Sequence, residues 1–314
     1  MLVVEGEGQA LFGRDWLQKI QLNWPKVFRE QITKPTDDVQ VVGEIQDRED
    51  KLSAILHKYQ SVFESGLGKY QGPEVDFPIS DGVAPKFLPA QLVPFARRQA
   101  VERELERLKE EEIIEEVRTS KWASPIVTVE KEDGSIRMCG DFKSTVNPVC
   151  EDVSYPLPRT EEMLAQLAGC KRFTKIDLSQ AYLQLPLSKQ AREYTTINTH
   201  KGLFRFKRMP FGIKCATAIF QREIEAILKG VPHVVVRVDD ILVTGEDDQS
   251  HLANVEEVLR RLYIAGLKAK LPKCRFFSQK WCIWVISSMK MANAQRKKGR
   301  RPSRMRIDPL VKES

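Results

Sequence analysis

The sequence predicts an α+β fold, and three observations carry that reading. Strand-like runs bounded by turn residues recur as hairpins: alternating at residues 125–139, again at 194–206, and as two β-branched apolar runs at 234–245. Amphipathic stretches with helical spacing occupy residues 97–117, 215–228 and 251–267. The resulting order is hairpin, helix, strand, hairpin, helix, hairpin, helix, which is the pattern of a mixed domain.

Taken in order, residues 1–36 hold Gly8-Gln-Ala-Leu-Phe-Gly-Arg-Asp-Trp-Leu and a short amphipathic stretch, which Pro35-Thr36-Asp37-Asp38 breaks. An acidic segment to about residue 52 reads as a linker, and residues 52–63 as a helix. Residues 66–89 are rich in Gly and Pro and therefore extended. The helix predicted at 97–117 sets Val101, Leu105, Leu108 and Ile113 on one face, with Glu, Lys and Arg on its solvated side. Asp133-Gly134 is the two-residue turn signal of the first hairpin. Thr160 caps a helix through Leu167, closed by Gly169. Residues 173–177 form a short strand ending in Asp177. The second hairpin turns near Lys201-Gly202. The helix at 215–228 points Phe220, Ile224, Ile227 and Leu228 inward, with Gly230 past its end, and the helix at 251–267 closes near Gly266.

Length and composition set outer bounds. At 314 residues there is room for roughly two domains of about 150 each. Hydrophobic residues at 42% beside 30% charged describe a soluble globular chain. No apolar run approaches the roughly 18–20 residues of a membrane span, and an N-terminus carrying Glu5 and Glu7 is unlike a signal peptide. The expectation is therefore a cytoplasmic or nuclear protein without membrane association. Six cysteines, at 139, 150, 170, 215, 274 and 282, include no C-x-x-C pair and read as reduced thiols. The net charge of +7 is confined to residues 289–314, which hold nine Lys or Arg and two acids. Removing these from 50 basic and 43 acidic residues leaves 41 of each, so global basicity says nothing of nucleic-acid binding by the folded body.

The chemistry is concentrated in Val234-Val-Val-Arg-Val-Asp-Asp-Ile-Leu-Val-Thr-Gly245, with Asp239 and Asp240 at the hairpin turn. Adjacent carboxylates repel unless water screens them or a divalent cation neutralises them. Paired acids in a turn are by themselves ordinary turn chemistry. If the strand ending in Asp177 neighbours this hairpin, three carboxylates come together for two hard cations. Such a pair of ions activates a hydroxyl and stabilises a leaving pyrophosphate. Oxygen donors suit Mg²⁺, with Mn²⁺ as the alternative, better than Zn²⁺.

These residues stand within an ordered set of motifs: Lys121-Trp-Ala-Ser-Pro-Ile-Val, Lys131 to Asp141-Phe-Lys, Asn147-Pro, Tyr155-Pro-Leu-Pro, Lys175-Ile-Asp-Leu-Ser-Gln-Ala-Tyr-Leu-Gln, Arg208-Met-Pro-Phe-Gly-Ile, Ala218-Ile-Phe-Gln, Val238-Asp-Asp-Ile-Leu-Val and Leu271-Pro-Lys-Cys-Arg-Phe. From about Lys86 to Phe277 the chain resembles the reverse transcriptase of gypsy-type LTR retrotransposons. The resemblance implies a right-hand polymerase with fingers and palm that adds deoxynucleotides (dNTPs) to a primer on an RNA or DNA template. It implies Asp177, Asp239 and Asp240 as metal-binding catalytic acids, and Lys131 and Arg137 as grips for the incoming triphosphate. Tyr182 then matches the aromatic gate against a ribose 2′-hydroxyl, and Phe211 and Gly212 the loop against template and nucleotide. Asp141 is divided between a structural role and a functional one, as is Lys143 on template phosphate. Gln221 ends its motif without an assigned role. The implied division is 86–152 and 185–216 for fingers, and 153–184 and 217–287 for palm.

Outside that core, Leu11-Phe-Gly-Arg-Asp-Trp-Leu resembles the C-terminal end of a retropepsin, which makes 1–36 a remnant of a preceding domain and 37–85 a linker and extension. No Asp-Thr-Gly or Asp-Ser-Gly precedes it, so a working aspartic protease is excluded. Three departures from the family pattern stand out. Arg237 replaces the family's Tyr two residues before the acid pair, and a cation there is expected to compete with metal for the carboxylates. The Leu-Gly-His core of a primer-gripping hairpin is absent after Phe277, and no thumb follows. Residues 288–314 turn basic and read as a disordered tail. The expected chain is thus a truncated polyprotein fragment, with a catalytically inactive remnant acting at most as a nucleic-acid-binding or interaction protein as the alternative.

Overall fold

The computed structural model describes residues 38–130, 136–156, 163, 170 and 172–278. Helix α1 (Asp38–Lys58) begins in a first unit that ends at Asp50 and finishes in a second unit beginning at Lys51. The acidic stretch expected as a linker is therefore helical. Gln, Glu, Arg and Lys, which recur along the segment, cost little helix propensity.

In the second unit, helix α2 (Phe95–Glu110) buries Val101, Leu105 and Leu108 along one stripe, as their spacing requires. It stops seven residues short of its expected end. Glu112 takes a positive φ of 53°, its N–H reaches the Lys109 carbonyl at 3.0 Å, and Ile113 N–H reaches the Leu108 carbonyl at 2.8 Å. This is a Schellman closure formed on Glu, without the Gly that would have signalled it. The chain then enters strand β1 (Ile114–Val117).

Strands β2 (Ser124–Glu130) and β3 (Ile136–Gly140) form the expected hairpin, and its Asp133-Gly134 turn lies outside the described residues. So do Lys131 and, apart from Met163, the helix predicted from Thr160. After β4 (Phe173–Asp177), helix α3 (Lys189–Tyr194) takes Tyr194 out of the predicted hairpin. Ser188 caps it, accepting from Ala191 N–H at 3.0 Å. The hairpin itself is β5 (Thr196–Thr199) and β6 (Gly202–Phe206), turning through Gly202 at a φ of 118°. Helix α4 (Ala216–Leu228), strands β7 (Val234–Arg237) and β8 (Asp240–Thr244), helix α5 (Asp248–Ile264) and strand β9 (Arg275–Ser278) follow among the described residues. A capping box between Asp247 and Ser250 starts α5 three residues earlier than predicted.

Two sheets result. The five-stranded sheet runs β1-β6-β5-β2-β3, and the four-stranded sheet runs β7-β8-β4-β9. In the second, Ile176, Val236, Ile241 and Val243 are buried in the main core, with Ile219, Phe220 and Ile224 of α4 and Val255, Val258 and Leu259 of α5. By strand alternation the opposite face carries Lys175, Asp177, Arg237 and Asp240, together with a small cluster of Phe173, Val235, Leu242 and Met163. Covering one face with two helices leaves the acids on the other.

Candidate active site

The antiparallel register of β4 with β8 sets Asp177 directly opposite Asp240, as the neighbouring-strand expectation required. Arg237 pairs with Asp240 across the hairpin, so Val238 and Asp239 are the two central residues of its turn. A two-residue hairpin turn needs positive φ, and here Val238 supplies it at 55°. A β-branched residue disfavours that region, so the turn is held under strain by its surroundings.

Gln221 of α4 is the chief restraint. Its fully buried amide donates to the Val236 carbonyl at 2.8 Å and accepts from Val238 N–H at 2.8 Å. Leu178 N–H donates to the Asp239 carbonyl at 3.0 Å from the other side. Asp239 is thereby fixed between the end of β4 and a helix.

Burial, reinforced by Asp240 and Asp177, pushes the Asp239 carboxyl up to about 6. Burial also raises Asp240, opposed by a hydrogen bond and the charge of Lys175. Lys175 Nζ lies 2.8 Å from Asp240, and Lys273 Nζ lies 3.7 Å from Asp177. Asp239 Oδ1 is buried and has no hydrogen-bond partner among the described residues.

The cation competing for these carboxylates is therefore not the one expected. Arg237 makes no ion pair among the described residues, whereas two lysines do. Lys175 was legible in principle, since a residue two before Asp177 on a strand shares its face. Lys273 arrives from a distant turn and has no such local signal.

Asp177 and Asp239 line a cavity of about 610 Å³, whose walls include Arg137, Cys139, Gln180, Phe211, Lys270 and Lys273. The Arg137 guanidinium stands 6.0 Å from the Phe211 ring centroid. Phe211 in turn packs on Tyr182 at 5.3 Å, and Tyr182 packs edge-on against Phe220 at 5.4 Å. The Tyr182 hydroxyl is 2.9 Å from the Thr217 hydroxyl. Burial raises the Tyr182 phenol above its ordinary range. Gly212 has a φ of 98°, and Asn147 clamps its loop, donating to the Gly212 carbonyl at 2.8 Å and accepting from Lys214 N–H at 2.9 Å. Asp141 accepts from Lys143 N–H at 3.3 Å, a local turn contact, while Lys143 is exposed.

The hard oxygen donors and the orphaned Asp239 oxygen suit a divalent cation of the Mg²⁺ type. Among the described residues, no three Asp, Glu, His or Cys side chains converge on one metal position. The two facts agree if Asp177 and Asp239 are the protein's ligands and Asp240 stays with Lys175. Mg²⁺ is commonly held by one or two carboxylates, its remaining positions filled by water and substrate phosphates.

With this geometry in place, comparison with known proteins is decisive. The family described as reverse transcriptase (RNA-dependent DNA polymerase) matches residues 129–297, more than half of the chain. The chain belongs to the reverse transcriptase family. It is 35% identical over 243 residues to the uncharacterized protein K02A2.6 of Caenorhabditis elegans, covering 76% of this chain and 19% of that protein. It is 34% identical over 186 residues to the transposon Tf2-3 polyprotein of Schizosaccharomyces pombe, covering 59% of this chain and 14% of the polyprotein. The chain thus spans less than a fifth of the length of these relatives. The reverse transcriptase fold is shared with the foamy viral protease-reverse transcriptase in complex with double-stranded DNA, at a TM-score of 0.68 and 22% identity over 81% of this chain and 47% of that one. The same viral enzyme in complex with an RNA/DNA hybrid gives 0.67 and 23%, over 82% and 34%. No helix among the described residues is long and apolar enough to cross a membrane.

Proposed function

We propose that this chain is the polymerase portion of a gypsy-type retrotransposon polyprotein and extends a primer on an RNA or DNA template by adding dNTPs. The observation that carries the reading is the cavity lined by Asp177 and Asp239 together with Arg137, Lys270 and Lys273. A cavity lined by both carboxylates and cations matches a substrate that brings both a divalent ion and a polyphosphate. Bound Mg²⁺, or Mn²⁺ in its place, would supply charge neutralisation and activation of the primer hydroxyl, held by Asp177 and Asp239. Arg137 meets phosphate charge, and Lys131 is assigned the same role. Tyr182, backed by Phe220 and Phe211, is a rigid ring suited to discriminating against a ribose 2′-hydroxyl.

The fingers and palm division has topological support. Every strand of the five-stranded sheet falls within 86–152 and 185–216, and every strand of the four-stranded sheet within 153–184 and 217–287. The Leu11-Phe-Gly-Arg-Asp-Trp-Leu stretch fits the tail of a retropepsin preceding the polymerase in such a polyprotein. That reading includes a cytoplasmic or nuclear setting.

The test is primer extension on poly(rA) with Mg²⁺, comparing the chain with Asp239→Asn and Arg237→Tyr. Extension that vanishes in Asp239→Asn supports the enzyme. Extension only in Arg237→Tyr identifies an active site decayed at that position. No extension by any of the three rejects polymerase activity for this chain.

A further inference from the structure

Gln221 holds the strained turn before Asp239, and a second layer of hydrogen bonds holds Gln221. The other N–H of its amide donates to Glu225 Oε1 at 2.6 Å, one helical turn along α4. The second oxygen of that carboxylate, Oε2, accepts from the Tyr155 hydroxyl. Tyr155 comes from the Tyr155-Pro-Leu-Pro motif, 70 positions before Glu225 in sequence. Both oxygens of one carboxylate are thus engaged by groups with no other shared partner. The Tyr155 phenol is raised chiefly by its hydrogen bond to Glu225, which is the effect expected of a donor facing an ionised acceptor.

A carboxylate accepts and does not donate, so Glu225 can engage only the NH₂ end of the Gln221 amide. That leaves the amide oxygen for Val238 N–H, the orientation the turn requires. Charge-assisted bonds of this kind are shorter and stronger than neutral ones. We propose that Glu225, seated by Tyr155, is a positioning residue for the polymerase reaction: it locks the Gln221 side chain, and through it the Val236–Val238 backbone that aims Asp239. The proposal rests on the polymerase reading for its catalytic consequence but not for its structural one. Neither Glu225 nor Tyr155 lines the cavity, so neither is a catalytic residue.

The experiment uses the full chain and two readouts. Hydrogen exchange of peptides covering residues 236–240 reports the brace without any need for activity. Primer extension reports its effect on turnover. Glu225→Ala is expected to speed exchange of that segment by roughly tenfold or more. It should lower kcat by a similar factor while leaving the dNTP KM within about twofold. Glu225→Gln, which keeps an acceptor oxygen, should restore most of both, and Tyr155→Phe should give a smaller loss. In a Gln221→Ala background, Glu225→Ala should add almost nothing. Unchanged exchange in Glu225→Ala, no rescue by Glu225→Gln, or full additivity with Gln221→Ala overturns the proposal. If the unmodified chain extends no primer, the polymerase reading fails on its own, and exchange alone decides the brace.

Discussion

Gln221 donates to the carbonyl of Val236 and accepts from the amide of Val238, so one side chain spans both sides of Arg237 in the hairpin that carries Asp239 and Asp240. A turn that needs positive φ at a β-branched residue is thereby held by a helix and not by its own sequence. Replacing Gln221 with Ala should leave two backbone groups without partners, at a cost of about 1–3 kcal/mol for each that stays buried. Misplacement of Asp239 should lower primer extension by about 100-fold. Thermal unfolding and steady-state kinetics check the two effects separately.

Asp239 sets a pH dependence whose sign is unusual for a carboxylate. Its pKa, raised to about 6 in the folded chain, lies above the ordinary value of 3.8. The folded state therefore binds the proton more tightly, and this group's contribution is fully present below about pH 4 and lost as pH rises through 6. Without divalent cations, the contribution of this site should fall between pH 4 and 7, and Asp239→Asn should remove that fall. Mg²⁺ should raise the melting temperature more at pH 7 than at pH 5. Thermal melts of both proteins across that range, with and without Mg²⁺, check it.

Lys175 and Asp240 form a half-buried pair at 2.8 Å, with side-chain exposures of 19% and 24%. Lys175→Met strands the Asp240 charge and should cost roughly 1–3 kcal/mol, between the limits for exposed and buried pairs. The double variant Lys175→Met with Asp240→Asn should recover part of that loss. A double-mutant cycle by chemical denaturation measures the coupling.

Gly212 is a position where the backbone itself demands glycine. At a φ of 98°, a Cβ there would also meet the Gly140 carbonyl oxygen at 3.3 Å. Gly212→Ala should destabilise by about 1–3 kcal/mol and displace the loop carrying Phe211. The dNTP KM should rise more than kcat falls, which a substrate titration in primer extension would show.

Arg237→Tyr should change stability by no more than about 0.5 kcal/mol, because the guanidinium makes no ion pair among the described residues. A denaturant midpoint shift well beyond that would mean that Arg237 is structurally engaged.

Local chemistry, readable in one dimension, determined a good deal of this protein. Alternation in β2 and β3, the β-branched apolar runs of β7 and β8, the apolar stripe of α4, and Asp177 at a strand end were all legible. So was the ordered motif set that led to the reverse transcriptase family. Signals that depend on the usual residue misled where another residue did the job. Glu112 closes α2 without glycine, and Val238 turns the hairpin without Asn or Gly.

What only the tertiary structure decided is which groups meet. Asp177 faces Asp240 because β4 lies beside β8, 63 positions apart in sequence. Lys175 and Lys273, not Arg237, engage the acids, and Gln221 gains a role that its place at the end of a motif did not reveal. The physical reason is range. Backbone propensity and periodicity act within a few residues. Ion pairing and buried hydrogen bonding act between whatever groups the core brings within about 3 Å of one another.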